Sequence, residues 1–160
     1  MKTFVLLFAA VMNLLLADAV TKELAEHRLV SGDSFSVLPG FLDFALVHNR
    51  GCAWGMFQGH VWPLAAFGLV ALAVLIARRR AIFNSRLARF AEPFLYAGIL
   101  GNVVDRLYRG YVVDMIDFHW KNLYHYPCFN LADVCICLAA GLLILASFKD
   151  AVNKKKESKQ

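Results

Sequence analysis

The stretch LADVCICLAAGLLILASF, residues 131–148, carries a single charged side chain, Asp133, close to its start, and Lys149 with the tail lysines 154, 155, 156 and 159 closes it. Eighteen residues of this polarity are long enough to cross a bilayer as a helix. Three more apolar blocks precede it, at about 4–20, 61–77 and 87–105. The predicted fold is therefore an all-α membrane protein of four transmembrane helices in a single domain, 1–160, with a small external β-rich subdomain and an interfacial flap. The composition agrees: of 160 residues 59% are hydrophobic and 18% charged, and the mean hydropathy is +0.54.

Charge placement orients the bundle. Of the 17 lysines and arginines, 11 fall in three places: Lys2; Arg78, Arg79, Arg80, Arg86 and Arg89; and Lys149, Lys154, Lys155, Lys156 and Lys159. These alternate with the apolar blocks as one face of a membrane does, which predicts both termini in the cytoplasm. It also turns the net charge of +5 away from nucleic acid and toward lipid headgroups. The first block ends in Ala17-Asp18-Ala19 and imitates a cleavable signal. With three spans following, it is expected to be retained and to continue through Val20. The tail 153–160 is expected to be disordered or to lie on lipid.

Between the first two spans, residues 21–60 are broken by Gly32, Pro39, Gly40, Gly51, Gly55 and Gly59, and Phe41 to Val47 alternates in polarity, which predicts short strands on the membrane surface. Between the last two, Tyr108, Tyr111, Phe118, Trp120, Tyr124 and Tyr126 form an aromatic belt lying along the membrane, with room for a movable flap. Glu92, inside the third block, needs a partner.

The chemistry-bearing residues gather at one face. The third span ends at Gly101-Asn102-Val103-Val104-Asp105-Arg106; Val112-Val113-Asp114 lies on the connection; Phe129-Asn130-Leu131-Ala132-Asp133 opens the fourth span. Carboxylates at a lipid boundary are costly, and two placed together share a proton, giving one base and one acid around a water. Such a pair hydrolyses a peptide bond without metal or covalent intermediate. The plainer reading of Asp133 is helix capping, and that of Asp105 and Arg106 an ion pair in which Arg106 holds Asp105 ionised. Asp117 reads as solvated surface. A proton-conducting bundle would spread its carboxylates through the membrane depth, and these cluster at one end; a non-catalytic assembly factor would not need the motifs in this order.

Other chemistries find little support. His48, His60, His119 and His125 include no i, i+4 pair on an apolar face, and Cys52, Cys128, Cys135 and Cys137 have no CxxC spacing, so no metal site is predicted. Cys52 and Cys128 fall on the same side, which leaves a disulfide open. Ser31, Ser34 and Ser36 lack a basic partner at motif spacing.

Across nearly its whole length the chain resembles the lipoprotein signal peptidases (signal peptidase II). The matching motifs are Asp18-Ala-Val-Thr-Lys22; Asn49-Arg50-Gly51; Gly101 to Arg106; Val112 to Asp114; and Phe129 to Asp133. The resemblance implies an aspartic endopeptidase of the bacterial inner membrane, its site at the periplasmic face, with Asp114 and Asp133 catalytic. Asn102, Arg106 and Asn130 would position the pair and the substrate backbone, Asp105 would support it, and Asp18, Lys22, Asn49 and Gly51 would organise the outer half of the site. It implies no cofactor, a diacylglyceryl-modified prolipoprotein as substrate, membrane lipid as surroundings, and a monomer. Cys52 stands where the family has a small alanine and Trp54 where it has phenylalanine, so an altered pocket wall is expected. Which aspartate is the base, and which prolipoproteins are preferred, are left open.

Overall fold

The computed structural model describes residues 2–30, 34–121 and 123–157. Ser31 and Gly32, and the tail beyond 157, lie outside the described residues. The order of elements is α1 Lys2–Arg28, β1 Ser34–Leu38, β2 Leu42–Asn49, a 3₁₀ turn Ala53–Gly55, α2 Val61–Ala77, α3 Arg79–Ile82, α4 Arg86–Tyr108, β3 Val112–Trp120, β4 Tyr124–His125 and α5 Leu131–Glu157. The molecule is mostly helical, with one four-stranded antiparallel sheet in the order β1-β2-β3-β4.

Helices α1 and α5 are long and apolar enough to cross a membrane, and α2 is a shorter apolar helix. No Gly or Pro interrupts residues 2–28, so α1 runs on past Val20 for two more turns and reaches about 40 Å in length. Its polar end carries two i, i+4 pairs, Lys22 to Asp18 at 2.8 Å on the buried face and His27 to Glu23 at 3.1 Å on the exposed one. Polarity ends a span, but it does not end a helix. The same distinction applies at the other terminus, where 153–157 continue α5 as helix in place of the disorder that is one of the two expectations for the tail.

Helix α4 is the centre of the bundle, packed against α1, α2 and α5. Ser85 caps its start, accepting from the Ala88 amide at 3.2 Å. The buried Glu92 finds its partner in Arg79, whose Nη2 lies 2.9 Å from Oε2 and whose Nε donates to the other oxygen. Two glycines let the helices close up. A Cβ on Gly98 would stand 2.5 Å from the Ala132 carbonyl oxygen, and one on Gly101 would stand 2.6 Å from Asp18 Oδ2. The second approach brings Asp18 into the site described below.

The sheet sits at the C-terminal end of α1, where Leu46, Val113 and Met115 pack on Ala25. β2 and β3 pair with His48 opposite Val113, Val47 opposite Asp114 and Asn49 opposite Val112. The strand expected from the alternation at 41–47 is thus β2. The segment expected as a flap along the membrane is mostly strand. β3 is an interior strand of the sheet, and three of the six aromatics read as a belt, Phe118, Trp120 and Tyr124, lie on β3 and β4. A further bridge, Ile116 with Phe129, joins the sheet to the residues leading into α5 through three backbone hydrogen bonds of 2.9–3.1 Å.

Candidate active site

Where β3, α4 and the start of α5 meet, a cavity of about 200 Å³ is lined by Asn49, Asn102, Arg106, Asp114 and Asp133 among others. Asp114 comes from β3 and Asp133 from the first turn of α5. Asn130 joins them. Its side-chain nitrogen donates to Asp114 Oδ1 at 2.7 Å, and its backbone amide donates to Asp133 Oδ2 at 3.2 Å. In return the Asp133 amide donates to Asn130 Oδ1 at 3.0 Å. This reciprocal pair is a capping box, so Asp133 does cap its helix, but with one oxygen only.

The remaining oxygens take amide donors as well. Asn102 Nδ2 donates to Asp133 Oδ1 at 2.7 Å, and Asn49 Nδ2 donates to Asp114 Oδ2 at 2.9 Å. Neutral amides orient all four oxygens without adding charge. Asp114 is 2% exposed. Its burial pushes the carboxyl up from 3.8 to about 7; the Asn49 hydrogen bond opposes this and the nearby Asp133 adds to it. A carboxyl titrating there is poised to hold or give a proton at neutral pH.

Behind the pair lies a charged cluster. Lys22, 1% exposed, reaches Asp18 Oδ2 at 2.8 Å, Asp105 Oδ2 at 3.0 Å and Asn102 Oδ1 at 3.3 Å. Asp18 Oδ1 accepts the Ala132 amide at 2.8 Å, and Asp105 Oδ2 accepts the Val113 amide at 3.2 Å. These two carboxylates therefore clamp the backbone next to Asp133 and next to Asp114.

The ion pair expected between Asp105 and Arg106 does not form. Consecutive helical residues point about 100° apart. Asp105 turns inward to Lys22 and outward to Arg109, whereas Arg106 donates to the Gly51 carbonyl at 2.9 Å and the Asn102 carbonyl at 3.2 Å. Its Nε is buried without a partner among the described residues. Gly51, whose amide donates to Asn49 Oδ1 at 2.9 Å, thus ties the second loop to both sides of the cavity. Asp117 stays outside this group, near His125.

Cys52, Cys128 and Cys137 also line the cavity, and all four cysteines are free. Burial, reinforced by Asp114, pushes the Cys128 thiol up to about 12, which keeps it protonated and unreactive. Among the described residues no three His, Cys, Asp or Glu side chains are grouped to hold a metal. Reasoning from sequence missed Arg109, Glu23 and Glu26; the i, i+3 spacing of the two glutamates on α1 was the available signal.

The family model described as signal peptidase (SPase) II matches residues 10–149. The chain belongs to the signal peptidase II family. Relatives described as lipoprotein signal peptidase include one from Clostridium acetobutylicum, 36% identical and covering 91% of this chain and 94% of its own. Another, from Haemophilus influenzae, is 38% identical over 89% of this chain and 85% of its own. A bacterial membrane enzyme solved by the in meso method at 2.3 Å resolution superposes with a TM-score of 0.84 at 32% identity, covering 92% of this chain and 90% of its own. A second, at 1.9 Å resolution, gives 0.78 at 32% identity, covering 90% and 93%. The family makes this chain a membrane peptidase that acts on signal peptides.

Proposed function

We propose that the protein is an aspartic endopeptidase that cuts diacylglyceryl-modified prolipoproteins before the lipidated cysteine, with Asp114 and Asp133 as the catalytic pair. The observation that carries the reading is the double grip of Asn130 on both carboxyls at the wall of one cavity. One carboxylate takes a proton from water as the water attacks the scissile carbonyl; the other protonates the departing amine. Arg106, which lines the cavity and whose Nε has no partner among the described residues, would hold the substrate backbone. Asp18, Lys22, Asn49, Gly51, Asn102, Asp105 and Asn130 support the pair, and the protein needs no cofactor and no second copy.

The same reading sets the protein in the bacterial inner membrane as one domain with four spans on α1, α2, α4 and α5. Both termini are cytoplasmic and the cavity opens at the periplasmic face. What supports this is the basic clusters at the opposite end from the acids. A substrate that arrives through the bilayer then meets the pair where its signal helix ends.

Two results test the reading. In liposomes the protein should cleave a diacylated prolipoprotein, release a product beginning at the lipidated cysteine, and leave the unlipidated precursor intact; equal cleavage of both would refute the substrate assignment. The rate should also fall on the alkaline side. Asp114 is raised to about 7, so above that pH the shared proton is lost and the rate drops roughly tenfold per unit. A rate still rising at pH 9 would exclude a one-proton pair.

A further inference from the structure

Lys22 faces two buried carboxylates, Asp18 and Asp105, with one positive charge. Taken alone, that triad leaves a negative charge in the interior directly behind the catalytic pair. The second cation comes from Arg109, the C-cap residue just after α4. Its Nε lies 3.2 Å from Asp105 Oδ1, while its other nitrogens reach Glu23 at 2.7 Å and Glu26 at 3.6 Å on α1. Glu26 in turn accepts from the Tyr111 hydroxyl at 3.1 Å and contacts His48 Nε2 at 3.2 Å, and the His48 and Tyr111 rings lie 4.2 Å apart. His48 precedes Asn49, which holds Asp114, and Tyr111 leads into β3.

We propose that Arg109 is a positioning residue for the catalytic pair: it completes the counter-charge of Asp105 and so holds β3, and the Asp114 it carries, in place. The inference rests on the assignment of Asp114 and Asp133 above. Asp105 ties the two ends together, since the oxygen that takes Lys22 also takes the amide of Val113, the residue before Asp114. Guanidinium suits the position because its planar fork can serve three carboxylates at once. The charged and titratable groups facing this point are Asp18, Lys22, Glu23 and Glu26 from α1, His48 from β2, Asp105 and Arg106 from α4, Tyr111, and, beyond the triad, Asp114 and Asp133.

Removing Arg109 leaves the interior one unit more negative, and nearby negative charge makes the pair hold its protons to higher pH. The experiment is the pH profile of kcat in liposomes for the wild type, Arg109→Gln, Arg109→Lys and Glu26→Gln, each checked for folding by thermal unfolding. Arg109→Gln is expected to move both limbs of the profile up by about half to one unit and to lower kcat roughly tenfold with KM little changed. Arg109→Lys keeps the charge and returns the profile to its wild-type position. A loss of rate without a shift, a shift shared equally by the lysine variant, or an unchanged profile overturns the proposal. Should Arg109→Gln not fold, Glu26→Gln carries the test: it frees Arg109 for Asp105 and moves the profile down by a few tenths of a unit, and a profile unmoved or moved upward overturns the proposal. Failure of the underlying assignment looks different, because Asp114→Asn would then still cleave.

Discussion

Asp114→Asn and Asp133→Asn, each in folded protein, are expected to lower kcat for a diacylated prolipoprotein by about 10⁴-fold or more, while Asp117→Asn stays near the wild-type rate. An amide can neither accept the proton of the attacking water nor return one to the leaving amine, so each substitution removes a chemical step and does more than weaken it. The substitution at 114 also has a structural cost. Both Asp114 oxygens accept from amide nitrogens, of Asn130 and Asn49, so the new NH₂ group must face a donor. Neither partner turns freely, since Asn49 Oδ1 is held by the Gly51 amide and Asn130 Oδ1 by the Asp133 amide. A loss of stability of about 1–3 kcal/mol is therefore expected beside the loss of rate, and thermal unfolding in detergent separates the two. Near-normal cleavage by either variant would remove the aspartic pair and reopen the reading of these acids as a proton path.

The second large effect is expected from Lys22→Met. Lys22 is 1% exposed and partners Asp18, Asp105 and Asn102. Methionine fills about the same volume but leaves Asp18 without a cation among the described residues and Asp105 with Arg109 alone, and breaking a buried pair from one side costs about 3–5 kcal/mol. Unfolding in denaturing detergent should show it, together with a loss of activity, because Asn102 holds Asp133 and Asp105 holds the Val113 amide. The triple change Asp18→Asn, Lys22→Met, Asp105→Asn removes charge and counter-charge together and should recover most of the stability. If Lys22→Met alone is as stable as the wild type, the cluster is not ionised as drawn.

Much of the site could be read from sequence because its members are short motifs at the ends of apolar blocks: Asp18 and Lys22 one helical turn apart, Asn102 near the end of α4, Asn130 three residues before Asp133. The extent of 61–77 was equally plain, since Arg78 stops the apolar run and α2 ends at Ala77. The partner of Asp105 was not legible. Adjacency in sequence suggested Arg106, but helix geometry sends neighbours in different directions, and Lys22 and Arg109 reach Asp105 from α1 and from the next turn of α4. β3 was hidden for another reason. Its aromatics fit a membrane interface as well as they fit a strand, and the pairing partner that decides between them, β2, lies some seventy residues earlier. Hydropathy marks the limits of the apolar runs but not of the helices, which is why α1 and α5 both extend further than their apolar cores.

The bridge between Ile116 and Phe129 joins two bodies of different construction, a sheet that carries Asp114 and a helix that carries Asp133, the two carboxyls of the proposed pair. On the proposed assignment, catalysis works as a caliper across that seam. Far-ultraviolet dichroism senses helix content and is blind to a small tilt of the sheet, whereas hydrolysis senses little else. On gentle heating turnover is therefore expected to be lost before the far-ultraviolet helix signal, and a loss of both at one temperature would count against this reading.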